Sequence, residues 1–166
     1  MGDCIYCGEP VGLMRSQHPE CREKHDTAVT KIPQFFGQWF ESALPPARFR
    51  ELAAEVARTH YVDGPRFVEL TKDGFGALIE KALADHLLTD EEEEKVVGLL
   101  REFGMTLDDL PKPIGQRLIK CAILRDLDAG VVHERINLKG QVPINLGAKE
   151  HLPNAIEEAI AIRDKN

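Results

Sequence analysis

The chain predicts a mainly α fold of the α+β class: a metal-binding N-terminus, then a helical body that ends in a β-hairpin. Three observations carry that expectation. Three of the four cysteines fall within the first 21 residues, beside His18 and His25. From about residue 33 to 128, apolar side chains recur at intervals of three and four, the period of one helix face. Beyond Gly130 the interval falls to two, the period of a half-buried strand. The expected division is residues 1–32 and residues 33–166, with the hairpin near 131–147.

In the first segment, Cys4-x-x-Cys7 is a tight turn that presents two sulfurs to one ion, and Gly8 supplies the backbone freedom such a turn needs. His18-Pro-Glu-Cys21 follows. Pro19 suits the first position of a helix, where its missing N–H is not required. His18 then sits at the cap and Cys21 one turn on, where the helix N-terminus favours a thiolate. Cys21 and His25 are also one turn apart, so Cys4, Cys7, Cys21 and His25 form a second set. The Pro19 placement favours His18. Four protein ligands fill a tetrahedron, whereas a catalytic zinc keeps one position for water. Neither H-E-x-x-H nor the Pro-Cys-x-x-Cys of zinc deaminases occurs. A structural Zn2+ is therefore expected. The pattern C-x2-C-x10-H-x2-C resembles a treble-clef zinc finger over residues 4–30. That resemblance implies a knuckle, a short hairpin and a helix that donates the last two ligands.

The next apolar face runs through Phe36, Trp39, Phe40 and Ala43, with Phe35 beside it, and reads as a plug joining the metal segment to the body. A second helix carries Phe49, Leu52, Ala53, Val56 and a capping or packed His60. Asp63-Gly64-Pro65 marks a turn. Phe75, Leu78, Ile79, Ala82 and His86 then share a face. Thr89 with Glu92 forms a capping box, the run Glu91–Glu94 a solvated first turn, and Gly104 a C-terminal stop. Thr106 and Asp109 cap a short turn in the same way.

Asp85, Leu87 or Leu88, Thr89 and Glu92 resemble the Ala-x-x-Asp-Gly-x-Ile/Leu-Thr-x-x-Glu step of TerB-like helical domains over residues 72–130, with His86 in place of the Gly. An EF-hand is excluded, because 85–94 lacks alternating oxygen ligands and a central Gly. The helix that follows has Ile114, Leu118, Cys121 and Ala122 on one side and Ile119, Ile123 and Leu127 on another, as a helix buried between neighbours does. Cys121 reads as a core thiol. Val132, Ile136 and Leu138, then Val142, Ile144 and Leu146, alternate around Lys139-Gly140, and Pro143 marks an edge strand. The last residues fit either a helix or a strand.

With 43% hydrophobic and 30% charged residues the composition is that of a globular protein. Every apolar run is broken by charge before it reaches membrane-span length, and the N-terminus lacks a secretory pattern, so a cytoplasmic location is expected. A net charge of −7 and the lack of a basic run with aromatics disfavour nucleic acid. Residues 1–60 are nearly neutral, with seven basic and eight acidic side chains. No Walker loop, nucleophile elbow or dinucleotide fingerprint appears. The function expected is a non-enzymatic, zinc-stabilised helical module that binds a protein partner as an adaptor or regulator, for instance along the Val142–Leu146 edge. Two alternatives stand beside it. One is a nucleic-acid regulator using Arg15, Arg22 and Lys24 on and beside the finger helix. The other is a hydrolase built from Asp126, Asp128, His133 and Glu134.

Overall fold

The computed structural model describes residues 2–12, 15–85 and 88–128, with side chains as far as residue 122. Strands β1 (Gly2–Asp3) and β2 (Pro10–Val11) pair antiparallel, with Gly2 opposite Val11 and Asp3 opposite Pro10. Five helices follow: α1 (Pro19–Phe40), α2 (Pro46–Thr59), α3 (Gly64–Ala82), α4 (Asp90–Glu102) and α5 (Lys112–Asp128), with a 3-10 turn at Leu107–Asp109. The fold is thus mainly helical, as the periodicity predicts, and its small antiparallel sheet among the described residues lies in the N-terminal segment. The expected hairpin at 131–147, with its edge strand, and the C-terminal residues lie outside the described residues. So do His86 and the side chains of the Asp126–Glu134 group. No helix among the described residues is long and apolar enough to cross a membrane.

Helix α1 is the spine. It packs along α3 and against α2, while α2 also meets α4 and α5 meets α3. One face of α1 carries Cys21, Ala28, Ile32, Phe36 and Trp39, all buried. The same helix therefore holds a cysteine of the N-terminal cluster at one end and the centre of the core at the other. The boundary expected at 32/33 falls inside this helix, and Pro33 lies within it. A proline there forfeits the hydrogen bond to the carbonyl one turn earlier and costs about 3 kcal/mol. Complete burial of Ile32 and Phe36 on either side contributes about 1.5–3 kcal/mol each, enough to keep the helix running.

Phe36 packs edge-on against Phe49 and Phe75, with ring centroids 5.0 and 5.1 Å away, and 5.4 Å from Phe103. The α2 stripe differs from expectation. Phe49, Ala53 and Ala57 face the core, while Leu52 is 37% exposed. The row at intervals of four wins because two alanines let α2 approach its neighbours closely. His60 caps α2, with Nδ1 2.9 Å from the Val56 carbonyl oxygen. Asp63 caps α3 by accepting the Arg66 N–H at 2.8 Å.

The capping box at α4 is present in both directions. The Glu92 N–H donates to Thr89 Oγ1 at 3.2 Å, and the Thr89 N–H donates to Glu92 Oε2 at 2.9 Å. Thr89→Ala is expected to destabilise the protein by about 1 kcal/mol, read as a lower denaturant midpoint at unchanged slope. Of the four glutamates, Glu93 departs from a solvated first turn and is only 4% exposed. It lies in the row with Val96, Val97 and Leu100 that faces the core. Gly104 follows the end of α4 with φ +64°, the left-handed stop expected of it. The Thr106 N–H donates to Asp109 Oδ2 at 2.7 Å, closing the next turn. Leu118, Ile119, Cys121 and Ala122 bury α5 on two sides, and Arg117 ties it to α3 through Glu80 and the Leu83 carbonyl.

Candidate metal centre

Between β1 and β2 the chain turns sharply through Cys4–Cys7. The Gly8 N–H donates to the Cys4 carbonyl at 2.9 Å, and Gly8 takes φ +75°, which a side chain would resist. The Cys4 N–H donates to the Glu9 carbonyl at 2.8 Å, and the Ile5 N–H to the Ser16 carbonyl at 3.0 Å, fastening the turn to the segment that leads into α1. His18 is the N-cap of α1 in extended conformation, with Pro19 just inside the helix, so Cys21 lies one turn along. These local rules bring four side chains to one point. The ligand atoms of Cys4, Cys7, His18 and Cys21 all lie within 4.8 Å of one another.

The spacing fits a tetrahedral ion. Zinc–sulfur and zinc–nitrogen bonds near 2.3 and 2.0 Å imply edges of about 3.5–3.8 Å between ligand atoms. His18 Nδ1 lies 3.3 Å from Cys7 Sγ and 3.9 Å from Cys21 Sγ. Its other nitrogen, Nε2, is 3.2 Å from the Pro10 carbonyl oxygen. A proton on Nε2 donated to that oxygen leaves the Nδ1 lone pair aimed at the sulfurs, the outer-shell arrangement that orients metal-binding histidines. The His18 N–H also donates to Cys4 Sγ at 3.4 Å. His25 lies apart from this group. Its Nδ1 is 3.3 Å from Asp26 Oδ1, and its ring rests 4.9 Å from that of Tyr6. Of the two sets open in the sequence, the one with His18 is the one brought together.

The sulfurs differ in their electrostatics. Burial works to raise the Cys4 pKa, but amide donors from Cys7, His18 and Tyr6 outweigh it and hold the thiol at about 6. Cys21 is pushed up to about 11 by burial, then by hydrogen bonding and charge from Cys7 and Cys4. One sulfur is thus a preformed thiolate and another keeps its proton until a cation arrives. Cys121 is remote from the cluster, and burial pushes its thiol up as well, against the pull of Arg117.

The order of parts differs in one respect from the treble-clef pattern. Among the described residues, the two strands bracket the knuckle instead of standing between it and the helix. Sequence reasoning also missed three neighbours: the Pro10 carbonyl, Tyr6 and Tyr61, whose rings pack on the cluster. Tyr6 lies inside the knuckle and was findable. Tyr61 comes from the α2–α3 corner and carries no local signal. The basic residues proposed for nucleic acid are only partly gathered. Arg15 and Arg22 line an open groove of about 900 Å³ along α1 together with Lys31, Glu23 and Asp26, and Lys24 is exposed outside it. Arg22 Nε is 3.5 Å from Asp26 Oδ2, so one of these cations is paired with an acid within the groove. Comparison with protein-family models, curated proteins and solved structures returns no match for this chain.

Proposed function

We propose that Cys4, Cys7, His18 and Cys21 hold one structural Zn2+ in a treble-clef-like N-terminal finger, and that the zinc staples the knuckle to a helical module whose role is to bind a protein partner. The observation that carries this reading is the closed donor set. Three sulfurs and an oriented imidazole nitrogen converge within 4.8 Å, which satisfies a tetrahedral ion without leaving a position for water. Soft sulfur donors with one imidazole select zinc over the hard cations. The partner reading draws on an apolar groove of about 350 Å³ between α1 and α2, lined by Phe35, Trp39, Leu44, Phe49, Leu52 and Val56, where Leu52 stands exposed.

Metal content tests the first part. Purified protein is expected to contain about one zinc per chain, and the cobalt form to show a four-coordinate spectrum with no exchangeable water. His25→Ala is expected to keep the full zinc content, and His18→Ala to lower zinc affinity by about 10–100-fold or more. Zinc retained by His18→Ala and lost from His25→Ala would reverse the ligand assignment. A Leu52→Glu variant that captures the same partners as the unaltered protein would remove the groove from the reading.

A further inference from the structure

All four cysteines of the chain are free, and their surroundings differ. Cys4 is 3% exposed and Cys21 6%, whereas Cys7 is only half-buried. The cause is local. Cys7 closes the knuckle between half-buried Tyr6 and exposed Gly8, and Ile5 beside them is 67% exposed. A small reagent arriving from solvent therefore meets the Cys7 sulfur before either of its neighbours. Both neighbours stand close behind it, since the ligand atoms of the cluster lie within 4.8 Å of one another. Cys4 is the better placed of the two. It shares the knuckle with Cys7, and the Gly8 N–H, donating to the Cys4 carbonyl at 2.9 Å, closes that turn through the backbone alone. Cys21 belongs instead to α1. Cys-X-X-Cys is also the spacing at which paired thiols pass readily between dithiol and disulfide.

We infer that Cys7 is an oxidation site for hydroperoxides, and that its oxidation joins Cys4 and Cys7 in a disulfide that expels the zinc. The inference rests on the zinc reading above and names a regulation of that site. As zinc ligands, both cysteines start as thiolates. In the first step the Cys7 sulfur attacks the terminal oxygen of the hydroperoxide. The O–O bond breaks, Cys7 becomes a sulfenic acid, and the other oxygen leaves as alkoxide or hydroxide. In the second step the Cys4 thiolate attacks the Cys7 sulfur, the S–S bond forms, the S–O bond breaks and hydroxide leaves. Two sulfurs thereby give up two electrons and the hydroperoxide takes both, while the zinc departs as Zn2+. Only His18 and Cys21 then remain, two donors where zinc takes four. Both lie at the start of α1, so the break falls between knuckle and helix. The core around Phe36 is built from other residues and stays. A dithiol reductant returns both thiolates, and with them the site. The redox state thus sets whether the knuckle is fastened to the helical body.

The test exposes the full zinc-loaded chain to hydrogen peroxide and follows released zinc with a chromogenic chelator. Zinc is expected to leave in step with the loss of two thiols, and a dithiol added with fresh zinc to restore it. Peptide mapping is expected to find Cys4 joined to Cys7, with Cys21 still reduced. Cys121, 8% exposed on α5, is expected to oxidise at least about tenfold more slowly than the pair. A 1,3-dione that traps sulfenic acids is expected to label Cys7. Label on Cys4 or Cys21 in its place overturns the order of attack. Zinc retained with every thiol free, a disulfide to Cys21, or zinc lost with overoxidised sulfurs and no disulfide overturns the switch. Failure of the freshly reduced protein to take up zinc would instead remove the zinc reading, and this inference with it.

Discussion

Cys21→Ser is expected to abolish stoichiometric zinc binding and to unfold the N-terminal segment while leaving most of the helical signal intact. Cys21 sits one turn into α1 and is only 6% exposed. A serine there offers a hard oxygen in place of a soft sulfur and takes one vertex from the tetrahedron. The segment before α1 has little else to hold it: among its described residues the buried ones are Cys4 and Val11, packed with Cys21. Zinc in such short segments supplies an apparent 10–16 kcal/mol of folding free energy, so its loss dominates every other contact there. The main core on α1 to α5 is built from other residues and should persist. Elemental analysis and far-UV circular dichroism check the two halves. Zinc content near that of the unaltered protein, or collapse of the whole helical spectrum, would contradict this.

The same site makes zinc affinity depend on pH in a defined direction. Cys21, at about 11, keeps its proton in the metal-free fold throughout the neutral range, so metal binding must release it. One released proton weakens zinc binding at least about tenfold for each unit by which pH falls. Cys4, at about 6, adds a second proton only once the pH falls through that value. Chelator competition at several pH values reads the slope, which should steepen on the acid side. A flat profile would show that Cys21 is not among the ligands.

Most of what was legible in the sequence was local. Thr89 with Glu92, Thr106 with Asp109, and Gly104 after α4 each satisfy backbone groups within a few residues, so the signal and the structure that answers it lie in one short window. The cluster was legible for the same reason, since a knuckle and a helix start bring four candidate ligands together through backbone rules alone. What was hidden depended on tertiary packing. Pro33 reads as a boundary in any window that contains it, and only the burial of Ile32 and Phe36 against α3 explains why α1 continues. Leu52 and Ala57 exchange places for a comparable reason, because the neighbours of α2, not its own periodicity, choose the buried row. Glu93 belongs to the same class. Tyr61 is the extreme case: it packs on the cysteine cluster from a corner forty residues beyond Cys21 in the chain.

Gly74→Ala is expected to lower stability by about 2–3 kcal/mol, because an added Cβ meets the tightest surroundings of any described glycine there. At Gly74, α3 meets α1 with nothing between its backbone and the Phe36 ring. A Cβ there would stand 2.7 Å from Cγ and 2.8 Å from Cε2, and closer still to Cδ2. The ring cannot retreat, because it is completely buried and held by Phe49, Phe75 and Phe103. Two helices would have to separate, breaking contacts along the α1–α3 interface. For a chain of this size the loss reads as a midpoint about 5–10 °C lower. A double-mutant cycle isolates the cause. Phe36→Leu alone should cost about 1.5 kcal/mol, and in that background Gly74→Ala should cost much less than in the unaltered protein. Additive effects would place the strain elsewhere than the ring. Zinc content should stay at its unaltered value throughout. Phe36 and Cys21 are fifteen positions apart on α1, about 22 Å along the axis, so the helix can loosen at the core while its N-terminal end still brings His18 and Cys21 to the cluster.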